Sequence, residues 1–138
     1  MPAARRSVTL SNPRGLYDPR ANAYSHVAVL APGARLVMIS GQGGHTPDAS
    51  AEASFEEQAR QVFANIRIAL DSVGARVEDV ARLTILIVGY SKERLAAYHA
   101  AQVEAFGDHH PTGTLIPVAQ LALPGMLLEV EATAVLPD

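Results

Sequence analysis

The eight residues from Ala81 to Val88, Ala-Arg-Leu-Thr-Ile-Leu-Ile-Val, constrain this chain more than any other stretch. The run is far shorter than the roughly 20 apolar residues a membrane-spanning helix needs. It is also apolar on both parities: Leu83, Ile85 and Ile87 alternate with Thr84, Leu86 and Val88. A strand of that kind has both faces covered, so it belongs in the middle of a sheet with something packed on each side.

What covers one side can be read from the neighbouring segments. Ser54 precedes Phe55, Ala59, Val62, Ile66, Leu70 and Val73, an apolar stripe at three- and four-residue steps, and Gly74 follows it. With Glu57 three residues after Ser54, the start has the form of a capping box and Gly74 that of a left-handed stop. Ser91 caps a second predicted helix with Leu95, Tyr98, Gln102 and Phe106 on one face and Gly107 at its end. Val8 to Leu10 is a weak strand. His26 to Leu30 and Arg35 to Ser40 form a predicted hairpin around Ala31-Pro32-Gly33-Ala34, and strands at Thr114 to Ala119 and Leu127 to Val135 close the chain. The predicted order β-β-β-α-β-α-β-β is α+β, a single mixed sheet with both helices on one face. The opposite face is left for a partner: on the strand from Thr114, Leu115 and Pro117 contribute one side and Thr114, Ile116 and Val118 the other, with few charges on either, and homo-oligomerisation is the economical explanation.

At 138 residues, a single domain over 1–138 is the default. The net charge of -3 and the lone lysine, Lys92, argue against nucleic acid, because neutralising several phosphates needs clustered cations. The absence of cysteine excludes disulfides and thiolate chemistry and suits a cytoplasmic protein. Arg5-Arg6 is followed by no apolar segment of the length an export signal requires, so neither export nor a membrane is expected.

Candidate chemistry is sparse. Gly41-Gln42-Gly43-Gly44 lacks the Lys-Ser/Thr of a phosphate loop and the spacing of a dinucleotide turn, and reads first as a flexible turn. Asp108-His109-His110 completes no metal-ligand pattern, so neither metal nor cofactor is expected. Glu129 and Glu131 share one side of a predicted strand whose other side carries Leu128 and Val130. Two readings stay open: a solvated or ion-paired couple, or a carboxyl that subunit burial makes fit for acid-base work.

Three stretches together give the chain a resemblance to the Rid (RidA/YjgF, endoribonuclease L-PSP) family. Ala23-Tyr24-Ser25-His26, followed by Met38-Ile39-Ser40-Gly41-Gln42, is similar to its Pro-Tyr-Ser-Gln and Ser-Gly-Gln segments. Gln58-Ala59-Arg60-Gln61-Val62 with Asn65-Ile66 is similar to its first helix, and Val118-Ala119-Gln120-Leu121 through Leu128-Glu129-Val130-Glu131-Ala132 to its closing strand. The resemblance implies a chorismate-mutase-like fold, a homotrimer and a small-molecule cleft at each subunit interface. In deaminating members an arginine two residues after a proline holds the carboxylate of a 2-imino acid. Here that stretch reads Pro111-Thr112-Gly113-Thr114-Leu115, with Gly113 in the arginine's place. The chain therefore resembles an arginine-lacking branch, unsuited to standard 2-imino acid deamination. By the same resemblance Glu129 is the catalytic residue that orients water, Tyr24 lines the cleft and Gly41 lends it a backbone group. Gly113 enlarges the cleft, and Thr114 offers a hydroxyl. Hydrolysis of an enamine, imine or related C–N bond is implied, with a non-catalytic ligand sensor or interaction protein as the alternative.

Overall fold

The computed structural model describes residues 6–47 and 54–136, so Arg5 of the N-terminal pair lies outside it. Six strands and two helices follow in the expected order: β1 Val8–Ser11, β2 Val27–Leu30, β3 Arg35–Gln42, α1 Phe55–Ser72, β4 Val80–Val88, α2 Lys92–Phe106, β5 Thr112–Val118 and β6 Leu128–Leu136. The larger sheet runs β3-β6-β4-β5. β6 is antiparallel to both β3 and β4, and β4 is parallel to β5. The connections β3-α1-β4 and β4-α2-β5 are thus two crossovers that step across the sheet in the same direction. Right-handed crossovers of that kind put both helices on one face.

Both helices begin as the sequence indicates. The Ser54 and Ser91 hydroxyls accept from the amides of Glu57 (3.1 Å) and Arg94 (3.0 Å), satisfying donors the first helical turn leaves open. On the covered face Leu83, Ile85 and Ile87 of β4 meet Leu128 and Val130 of β6, and Phe63, Ile66, Leu70, Tyr98 and Phe106 of the helices. Each such side chain contributes about 1.5–3 kcal/mol on burial. Val73, counted in the stripe, lies beyond the end of α1 and is exposed, because the helix has already stopped at Ser72.

Two expectations need correction. The sheet is not one continuous ladder, and β2 and β3 do not form a hairpin: β2 pairs with β1, while β3 pairs with β6. The cause is local. The amide of Ala34 closes onto the carbonyl of Ala31, and that of Ala31 onto Ser7, so the short link passes the chain from one ladder to the other. The β1-β2 ribbon packs Val8 on Ala81 and Val135. The rest of the second face stays open, with Leu36, Met38 and Ile116 exposed and Thr84, Leu86 and Val88 half-buried. β4 is central, as its composition requires, but within one chain only one of its faces is fully covered. Among the described residues no helix is long and apolar enough to cross a membrane.

Candidate functional site

Two clefts hold the residues singled out by sequence. The first, about 500 Å³, opens where the edge strand β5 meets α2 and the arm before β2, and is lined by Tyr24, His99, Gln102, Gly113 and Leu115 among others. Its floor is built by alternation. Gly113 pairs with Leu83 and Leu115 with Ile85, so both turn toward the helices. A β-carbon added at Gly113 would meet the Leu83 carbonyl oxygen at 3.4 Å and Ile85 at 3.6 Å, so the position has room for a side chain. β5 carries Gly113 and Pro117 without penalty because, as an edge, it owes hydrogen bonds to one neighbour only. Thr114 is exposed and borders the cleft; its register with Thr84 sends its side chain to the opposite face from Gly113.

The arm is fixed by a buried polar chain. Burial pushes the Tyr98 phenol far above its usual titration range. It therefore stays protonated and donates to Gln102 Oε1 at 2.5 Å, while Gln102 Nε2 donates to the carbonyl of Ala23 at 2.7 Å. Ala23 holds a left-handed backbone (φ 58°), uncommon for a residue with a β-carbon, and this bond secures it. Tyr24 follows directly and forms an edge-to-face cluster with Tyr17 and His26. His99 borders the cleft from α2, and burial lowers its pKa below the ordinary 6.5. The hydroxyls of Tyr24 and Tyr90 and the ring of His99 make no hydrogen bond with any described residue.

The second cleft, about 410 Å³, lies at the end of β3 and β6 and is bordered by Gly41, His45, Asn65, Leu123, Met126 and Glu129. Polar residues of α1 set its walls. Asn65 donates to the carbonyls of Gly43 (3.0 Å) and His45 (2.8 Å), and Gln58 binds Gly125 O and Leu127 N, both at 2.9 Å. The glycine loop expected to be flexible is a close-packed seam: none of Gly41, Gly43 and Gly44 has positive φ. A β-carbon at Gly44 would lie 2.8 Å from the backbone of Gln58, one at Gly43 2.7 Å from Met126, and one at Gly41 inside the Glu129 carboxylate. Contact, not conformation, demands glycine at position 44, where the obstacle is backbone; at Gly41 and Gly43 it is the end of a flexible side chain, which can turn aside. Glu129 is half-buried over Gly41, and its side chain makes no ion pair or hydrogen bond with a described residue. Glu131, two residues on, is exposed.

The structure thus brings Tyr24 and Gly113 together, and Gly41 with Glu129, and keeps the two groups apart; Thr114 borders the first cleft but turns its hydroxyl side chain to the face of Glu129, so the expected hydroxyl beside Gly113 is not there. Glu129 pairs with Leu86, on the face away from the helices, and Gly113 with Leu83, on the helix face. His109 and His110 are likewise separated in role. His109 Nε2 lies 2.7 Å from the Val80 carbonyl oxygen, whereas Nδ1 of His110 is buried without a partner. Sequence reasoning missed His99, Tyr17 and Tyr90 as lining residues and Gln58, Asn65 and Gln102 as the anchors of both clefts. The available signal was an amide residue set within each helix's apolar stripe, where only a buried partner justifies it.

Comparison with known proteins covers almost the whole chain. A family model described as endoribonuclease L-PSP matches residues 17–136. A Rid-family protein from Yersinia pestis is 34% identical with a TM-score of 0.87, over 94% of this chain and 99% of that one. A member of the YjgF/YER057c/UK114 family from Mycobacterium tuberculosis is 28% identical with a TM-score of 0.63, over 94% and 100%. The YjgF product of E. coli is 25% identical with a TM-score of 0.65, over 77% and 84%.

Proposed function

Because the chain belongs to the endoribonuclease L-PSP family, the Rid family of the resemblance above, we propose that it acts in the cytoplasm as a homotrimer binding a small metabolite between subunits. We further propose that it hydrolyses an enamine, imine or related C–N bond there. The observation that carries this reading is the division of the site. Glu129 with Gly41, and Tyr24 with Gly113, face opposite sides of one sheet, so a single chain offers two half-sites and an exposed apolar face bearing Leu36, Met38 and Ile116. A second copy seated on that face covers the apolar surface and brings one chain's carboxylate toward the other's aromatic cleft.

In such a site Glu129 accepts a proton from water as the oxygen adds to the carbon of C=N, and the C=N electron pair moves to nitrogen, which takes that proton from Glu129. In the collapse Glu129 takes the carbinolamine hydroxyl proton as C=O forms and delivers it to the departing nitrogen, which leaves as ammonia or an amine. Gly113 supplies no guanidinium, and a charge-assisted contact of that kind is worth about 1.5–3 kcal/mol. Standard 2-imino acids are therefore poor substrates in this reading. Ribonuclease activity, named in the family's description, is not part of it, given the net charge of -3 and the single lysine.

The test is ammonia release from 2-iminopropionate and 2-iminobutyrate, generated in situ. The parent should turn over slowly, Gly113→Arg at least about tenfold faster, and Glu129→Gln in either background hardly at all. Equal rates for parent and Gly113→Arg would sink the role given to position 113. A ligand sensor using the same cleft is favoured by one observation, that among the described residues of the same chain no carboxylate lines the Gly113 cleft. It predicts binding without turnover, undiminished in Glu129→Gln.

A further inference from the structure

We infer that the cleft beside Gly113 takes an uncharged, ring-bearing small molecule with an amide-like group and discriminates against the matching carboxylate. The inference deepens the ligand-binding reading above and rests on it.

Its basis is the inventory of the walls. Among the described residues lining this cleft there is no Lys, Arg, Asp or Glu. Four cations lie within two residues of the lining: Arg82 is exposed on the face of β4 opposite Leu83, Lys92 is exposed at the start of α2 and lines no part of the cleft, and Arg20 and Arg94 are held by other groups. Arg20 is held bidentately by Asp18, with Nε at 2.9 Å from Oδ1 and Nη2 at 2.7 Å from Oδ2. The Arg94 guanidinium donates to the Val88 carbonyl and stands 5.4 Å from the centre of the Phe55 ring. His99 is kept neutral near pH 7 by its partial burial. A carboxylate entering this space would give up its water without meeting a counter-charge, a loss that a neutral group of the same shape does not suffer.

The groups that remain open suit a neutral amide. The Tyr24 and Tyr90 hydroxyls both donate and accept, and a neutral imidazole at His99 offers one donor and one acceptor. An amide presents both functions within one plane. Leu95, Leu115 and the tyrosine rings provide apolar and aromatic surface for an attached ring. The volume of about 500 Å³ is that of a site for a small organic ligand.

Benzamide and benzoate share ring and shape and differ in charge, so together they test the inference on the full-length protein. Amide resonances of labelled protein are followed during titration with each, up to the probes' solubility limits. Benzamide should shift the backbone signals of Tyr24, His99 and Gly113, and benzoate should bind at least about tenfold more weakly, a ratio equivalent to about 1.4 kcal/mol. Gly113→Arg should reverse the preference, while Gly113→Gln, similar in bulk but uncharged, should keep it. Benzoate binding as tightly as benzamide at these residues would overturn the inference and leave the ligand-cleft reading standing. Failure of both probes to shift these signals in the folded protein would overturn the inference and the reading together. Loss of the benzamide preference in Gly113→Gln would show that bulk, not charge, governs selection, and would also overturn it.

Discussion

The two clefts are both walled by glycine, and the residue means opposite things in them. Around Glu129, the absent β-carbons of Gly41, Gly43 and Gly44 are spaces already filled by Glu129, Met126 and Gln58. Beside Tyr24, the missing β-carbon of Gly113 leaves ordinary contact distances to Leu83 and Ile85. One cleft has a wall pinned by α1, rigid at Gly44 where the neighbour is backbone. The other is an open edge with room for a ligand or a larger side chain. A glycine whose place is filled by its neighbours is a packing constraint, whereas a glycine facing space is a setting of site chemistry that can be changed at low cost to the fold.

Substitutions of one or two heavy atoms can sharpen or break that contrast. The largest effect should come from Gly44→Ala, whose methyl meets the backbone of Gln58 and cannot be accommodated by rotating a side chain. A loss of about 3 kcal/mol is expected in urea unfolding, as for overpacking at a tight site. A change under about 1 kcal/mol would mean that the seam relaxes and the contrast is false. Gln58→Leu should follow, at about 2 kcal/mol, since it keeps the volume but strips Gly125 O and Leu127 N of their partner. Proteolysis of the 119–127 loop, compared between parent and variant, should rise with that loss; unchanged cleavage would show the loop is held by something else. Gly113→Ala should be the mildest, within about 0.5 kcal/mol of the parent or slightly stabilising, because the new methyl fits and the unfolded chain loses freedom. Marked destabilisation there would place Gly113 in the same class as Gly44.

Much of the fold was legible because it rests on local pattern. Ser54, Ser91, Gly74 and Gly107 punctuate the helices as their chemistry requires, and the two-sided apolar run of β4 fixed its central place. The hairpin from β2 to β3 was misread because a Pro-Gly link between two β-rich segments says that the chain turns, not which strand it pairs with afterwards. The candidate site was half legible. Tyr24 and Gly113 share a cleft that Thr114 borders with its side chain turned to the other face, and Gly41 lies against Glu129. That the two groups sit on opposite faces follows from registers such as Leu83 with Gly113 and Leu86 with Glu129.

The sequence by itself determined the element order, the caps, the core stripe of each helix and the absence of an arginine at position 113, since each depends on side chains close in the chain or on identity alone. Only the tertiary structure decided that the glycine loop is a packed seam, that Gln58, Asn65 and Gln102 tie distant segments together, and that the site is split across the sheet. These features depend on which atoms come within a few ångströms of each other from places 14 to 88 residues apart, to which local periodicity is blind.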